Sequence, residues 1–418
     1  MTRAIHEWRK ARRHGLVGLL VLIVLCGGGM AWAGTRGTDA VLRHLDLVDA
    51  TVIAVDAHLG RAIVGQGARG AVSVVETRGG HLLRTVSLRH YFSGPIVIAQ
   101  SVGHTFVLSD LAGYNRAGTT VTMLDTRTGT LLHTVTVFSS PAAAAVDEQN
   151  GRVFVASDGA PGVGTPGGGL GRVSILDART GAVLHSAPVG RAPQALAVDP
   201  ATQRVFVANM TSNTVSVLDS RSGRLVHTVP VGVSPSAVAV DVRTHRVFVA
   251  NAMARTVSIL DARSGVALHT TPVGPVPVAV GVDGGAGHVL VMGAGGAVSV
   301  LDATSGAVVV TSVVGANASA LALDTRTHRA FITGATATGL RQDLYSGIHR
   351  LLPFIPGTPF GQDDGSYVTV VDTLSGTVVR SVPVWSYQGV AVDDQTGHAF
   401  VTGNGVSMLD MGGAPSGH

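Results

Sequence analysis

Residues 191–274 form two consecutive units, RAPQALAVDPATQRVFVANMTSNTVSVLDSRSGRLVHTVPVG and VSPSAVAVDVRTHRVFVANAMARTVSILDARSGVALHTTPVG, that align without a gap at a period of 42 residues. Asp199 falls on Asp241, Asn209 on Asn251, Asp219 on Asp261, Gly223 on Gly265, His227 on His269 and Pro230 on Pro272. A fixed period of this size marks stacked supersecondary units, each dependent on its neighbours for a core. The 418-residue chain is therefore expected to build one closed array rather than several unlike domains.

Each unit holds four strand-like runs, at 195–199, 204–209, 214–219 and 224–231 in the clearest copy. Between the third and fourth runs lies Asp-Ser-Arg-Ser-Gly, in which Asp caps the turn and Gly supplies the positive φ that closes it. The same turn recurs at 125–129, 177–181, 261–265, 302–306 and 372–376. Apolar residues make up 45% of the chain and charged ones 13%, as expected of strands buried on both faces. The reading is all-β: a β-propeller of four-stranded antiparallel blades. Small residues in register on the first strand (Ala54, Ala145, Ala197, Ala239, Gly281, Ala322, Ala391) place it near the axis. Pro188, Pro230, Pro272 and Pro383 place the fourth strand at the outer edge, because proline cannot donate to a ladder.

Third strands end at Glu76, Asp125, Asp177, Asp219, Asp261, Asp302, Asp372 and Asp410, which counts eight blades, with seven the alternative. The last unit has only three strands before a polar tail at 411–418, whereas 41–48 (VLRHLDLV) resembles the fourth-strand run RLVHTVPV. The N-terminal strand is thus expected to complete the last blade and close the ring. The propeller domain spans 40–410, after a linker at 34–39.

The elements VAVD, RVFVAN, TVSVLD, a turn with Gly and a closing PVG resemble the YVTN family of β-propeller repeats, with Phe154, Phe206 and Phe248 in place of the tyrosine of that motif. The resemblance covers nearly all of 40–410 and is densest at 141–324. It implies a propeller, often extracytoplasmic and commonly seven-bladed; the count of eight departs from that form. It implies no single reaction, and a fold alone supplies none.

The N-terminus carries Arg3, Arg9, Lys10, Arg12 and Arg13 against Glu7, then an apolar stretch at 15–33 ending in Ala31-Trp32-Ala33. This basic, apolar and A-x-A order is that of an export signal over 1–33, either released after Ala33 or retained as a membrane anchor through 15–33. Leu25 is too bulky to make Cys26, the single cysteine, a lipoprotein cleavage site. Beyond residue 14 the remaining 25 Arg and 25 acidic residues cancel, so the ring carries no net field to steer a polyanion.

With the first strand innermost, two-to-three loops and blade-to-blade connections share one rim, and one-to-two and three-to-four turns share the other. Insertions fall on the first rim alone, at 109–120, 157–172 and 334–367, and insertions concentrated on one face of a repeat array mark its binding face. Candidate ligand- or partner-binding residues there are Tyr114, Asn115, Arg341, Tyr345, His349, Arg350, Phe354 and Phe360. The longest insertion gathers apolar and aromatic residues in a chain that is 4% aromatic, which suits a lid or a protein-docking surface as well as a satellite core on its own blade. Asp343, Asp363 and Asp364 are weak candidates for a hard cation, without the spacing of a calcium loop, and no metal site is expected.

The 17 histidines do not cluster by repeat position: His133, His185, His227 and His269 recur on the outer strand, and His104, His245, His288, His328 and His398 precede a second strand. They form rings of single residues, whereas a metal needs converging ligands. Asp199, Asp241, Asp283 and Asp324 end first strands, with capping and pairing to Arg204, Arg246 or Arg329 as their expected roles. The G-x-G-x-x-G matches at 65–70 and 162–167 lead into strands, so they lack the helix that would face a phosphate. The sequence calls for no cofactor and no catalytic residue. The leading expectation is a non-catalytic extracytoplasmic binding or scaffolding module, its partner a protein or small molecule on the loop-bearing rim. The alternative is a propeller enzyme of lactonase or dehydrogenase type with a funnel-bound cofactor or metal. Nucleic acid is not an expected partner, since Arg341, Tyr345, Arg350 and Phe354 are the only stacking-and-charge grouping.

Overall fold

The structure, a computed structural model, describes residues 41–88, 94–110, 119–138, 141–159, 169–335, 366–384 and 388–410. These form eight four-stranded antiparallel sheets, seven of them in simple sequence order. The blade predicted most clearly runs Pro193–Asp199, Arg204–Asn209, Thr214–Asp219 and Leu225–Pro230 from axis to edge. Its register sets Phe206 opposite both Ala197 and Val217. Among the described residues there is no helix, and hence none long and apolar enough to cross a membrane; the stretch 15–33 lies outside them.

The eighth sheet pairs Val41–Leu45 with Val406–Asp410, beside His398–Thr402 and Val390–Asp393. Val41 faces Leu409 and Leu45 faces Val406, so the first described strand is the outer strand of the last blade. This is the expected closure, and it gives eight blades rather than seven. Val41 packs with Leu409 and, on the seventh blade, Val368 and Val370; Leu47 and Ala50 join Phe400 and Met408 to Val64 and Val75 of the first blade.

Second and third strands are buried almost throughout, because each blade is sandwiched between two others. Phe106, Phe154, Phe206, Phe248, Phe331 and Phe400 occupy one repeat position and are fully buried. Phe206 packs against Val247, Val249 and Leu260 of the next blade. Burial of such a side chain contributes about 1.5–3 kcal/mol, repeated around the ring. First strands are only half-buried and line the axis with small aliphatic residues.

Candidate functional site

The ring has two rims of different character. On the rim of one-to-two and three-to-four turns, side chains are engaged in closing turns and tying blades together. Asp261 Oδ1 accepts from the N–H of Ser264 at 2.8 Å and from its hydroxyl at 2.8 Å, and Gly265 (φ 71°) completes the turn. The same cap occurs at Asp125, Asp177, Asp219, Asp302 and Asp372. The Ser264 and Ser305 N–H groups hold the Asp261 and Asp302 carboxyls below their ordinary range; at Asp177 and Asp219 burial opposes ionisation and the turn hydrogen bonds outweigh it.

The repeated outer-strand histidine has a blade-to-blade role. A Cβ on Gly181 would meet His133 at 3.0 Å, and on Gly265 and Gly306 it would collide with His227 and His269. The turn glycines of the third, fifth and sixth blades thus let the preceding blade's histidine lie against them. The second histidine series forms latches. Nδ1 of His104, His288 and His398 lies 2.9, 2.8 and 2.9 Å from the carbonyls of Ala178, Thr373 and Thr77, each on the following blade. The carbonyl only accepts, so Nδ1 carries the proton in each. His328 Nδ1 and Thr373 Oγ1 of the seventh blade donate to the buried Oδ2 of Asp283 on the sixth, at 2.9 and 2.5 Å.

First-strand aspartates cap their turns as expected: Asp199 accepts from Ala201 N and Asp324 from Arg326 N. The arginine pairing differs from the expectation. Arg152 and Arg204 stand opposite an aspartate on both sides, Asp147 and Asp199 on the first strand and Asp177 and Asp219 on the third. They ion-pair with the third-strand one at 3.1 and 3.2 Å, the first-strand carboxylates being buried in capping their own turns. The second blade lacks the first-strand aspartate. Glu148 of the third blade substitutes for it, accepting from Gln100 N and Ser101 N at 2.7 and 3.0 Å. A cavity of about 570 Å³ opens on this rim at the closure seam, lined by Arg61, Glu76, Thr77, Arg78 and Asp393. Among the described residues no three His, Cys, Asp or Glu side chains are grouped to hold a metal ion.

The opposite rim carries the insertions. In the fourth and fifth blades the last residue of the second strand closes its loop: Asn209 Nδ2 donates to Thr214 Oγ1 and Ser216 Oγ at 3.2 and 3.0 Å, and Asn251 does the same to Thr256 and Ser258. Gly190 and Gly232 allow this, since a Cβ on either would lie 2.6 Å from the asparagine Cγ. The three blades with long insertions have Ser109, Ser157 and Gly334 at this position. In these three blades the hairpins continue upward, to Asp110 opposite Thr119, Gly159 opposite Gly169 and Ala335 opposite Ser366. The buried hydroxyls of Ser109, Thr120 and Ser157 at the loop bases have no hydrogen-bond partner among the described residues.

Tyr114, Asn115, Arg341, Tyr345, His349, Arg350, Phe354 and Phe360 lie outside the described residues, as do Asp343, Asp363 and Asp364. The described part of this rim adds residues that sequence inspection passed over. Leu170 (61% exposed) and Met253 (70%) stand free, with Val48, Phe138, Met210, Val233 and Val276 also exposed. The Arg172 guanidinium lies 4.5 Å over the Phe138 ring and its Nε donates to Ser186 Oγ at 3.0 Å. On the opposite rim only Val242, Val266 and Leu374 are large, apolar and exposed among the described residues. The available signal was an apolar residue at a turn tip, where a polar one is the norm.

A search of curated proteins finds no match. Among solved structures, the computationally designed Ika8 protein is similar at 16% identity and a TM-score of 0.65, covering 89% of this chain and 100% of that one. BamB from Moraxella catarrhalis is similar at 14% identity and a TM-score of 0.59, covering 88% and 97%. The C-terminal WD40 domain of Sif2 is similar at 10% identity and a TM-score of 0.65, covering 89% and 98%. At these identities the likeness is one of fold. The model of the family described as outer membrane protein assembly factor BamB matches residues 48–276 and, overlapping, 169–338. The chain belongs to this family of β-propeller repeat proteins.

Proposed function

We propose that the chain is an extracytoplasmic, non-catalytic binding or scaffolding propeller that engages its partner through the rim bearing 109–120, 157–172 and 334–367. In this reading 1–33 directs export and either anchors the chain or is released after Ala33, 34–39 is a linker, 40–410 is the ring and 411–418 a tail. The carrying observation is an asymmetry. Three insertions and most of the exposed apolar side chains outside the outer strands share one rim, whereas the other rim is taken up by caps and blade-to-blade latches. A water-exposed apolar grouping on a rigid ring is the ordinary anatomy of a docking surface. The family description, an outer membrane protein assembly factor, supports an accessory role outside the cytoplasm, as does the resemblance to YVTN repeats. Tyr114, Asn115, Arg341, Tyr345, His349, Arg350, Phe354 and Phe360 are the proposed contacts, beside Leu170, Met210 and Met253. The partner is a protein with an apolar epitope.

Deletion of residues 337–365 tests this. With the ring still melting cooperatively, capture of a defined cell-envelope protein by the full chain should fall at least about tenfold in the deletion variant, the scale of removing one hot-spot cluster. Undiminished capture by a folded deletion variant would refute the assignment of this rim.

A further inference from the structure

The eight outer strands share one register, which allows them to be compared position by position. An outer strand presents unpaired N–H and C=O groups, and natural proteins blunt such edges with proline, charge or cover. Four blades end theirs with Pro188, Pro230, Pro272 or Pro383. The first and last blades carry Arg84 and Arg43, and the second carries His133 and ends at Val137, which is buried. The sixth, Val308–Val313 (VVVTSV), has no proline, charged residue or histidine.

Its backbone orientation follows from the ladder. Val314 donates its N–H to Gly296 O at 2.8 Å. Antiparallel pairing alternates, so Ser312 and Val310 also face inward, and Thr311 and Val313 turn their N–H and C=O groups away from the sheet; the alternation ends at Val309, where a bulge shifts the register between Val310 and Val308. Pro272 opposes Thr256 as Val313 opposes Ala297, so proline in the neighbouring blade occupies the very position whose N–H points outward. Val309 and Val313 are 55% and 73% exposed.

We infer that the outer strand of the sixth blade is an acceptor site for β-augmentation, taking up an extended, uncharged, aliphatic-rich segment of another polypeptide. Free backbone donors and acceptors at alternate residues demand a partner that offers the same, and six residues span about 20 Å, the length of an ordinary strand. The uncharged β-branched surface selects a segment of like character. A flexible segment follows one edge strand along its length. Two rigid rings meeting at one strand would bury less than the ~1,200 Å² of a stable interface.

The probe is a fluorescent peptide of alternating threonine and valine with lysines at its ends, titrated against the full chain and followed by anisotropy. Saturable binding is expected, weakened at least about tenfold by Val313→Pro, which installs the neighbouring blades' own residue, and by Val309→Lys. Peptide N-methylated at alternate residues along its pairing edge should not bind. Absence of binding to the wild type, equal binding by both variants, or equal binding of the N-methylated peptide overturns the inference. So does concentration-dependent dimerisation that Val313→Pro abolishes, which would make a second copy the occupant.

Discussion

His227 and Gly265 stand 38 positions apart in sequence and in contact across two blades, and their contact explains why both recur. A repeated histidine invites a metal reading, yet here it packs on a glycine that has no Cβ to displace it. The turn aspartates likewise recur for the backbone N–H groups they satisfy. Their capping has a consequence for pH. Carboxyls held below the ordinary value of 3.8 contribute stability that is fully present above that pH and lost as pH falls through their lowered values. Stability should therefore be flat from neutrality to about pH 5 and decline below about pH 4. Asp261→Asn should shallow that decline, as measured by urea midpoints across the range; an unchanged slope would contradict the capping role.

Strands were legible because their chemistry repeats. The four runs of the unit at 191–232 appear as strands within two residues of their expected ends, and every third-strand terminus from Glu76 to Asp410 holds. Pairing partners were less legible. Arg204 stands opposite both Asp199 and Asp219 but pairs with Asp219, because Asp199 is buried in capping its own turn. The asparagine clamp was also hidden: Asn209 reads as one more repeat residue until its bonds to Thr214 and Ser216 show that it closes the loop. Closure by the N-terminal strand was legible from VLRHLDLV alone. Deleting 41–48 removes Val41, Leu45 and Leu47 from two inter-blade cores, a loss of about 5 kcal/mol at ~1.5–3 kcal/mol per side chain. The melting temperature should drop by several degrees in calorimetry; an unchanged value would refute closure by this strand.

Taken as a ring, the chain divides its labour between two rims. One is occupied by the contacts that hold eight blades together, and that explains why His, Asp and Arg, the residues most suggestive of chemistry, carry structure there. The other breaks the period at three blades and leaves apolar side chains in water. The sequence showed this division through insertion lengths, but the exposed Leu170, Met210 and Met253 emerged only when the turn tips were placed on the ring. Hydrogen–deuterium exchange on the ring with its captured partner tests the division. Protection confined to the loop-bearing rim, centred on 169–172, 209–214 and 251–256, is the expected result. Protection centred on the three-to-four turns at 125–129, 177–181 and 219–223 would contradict it.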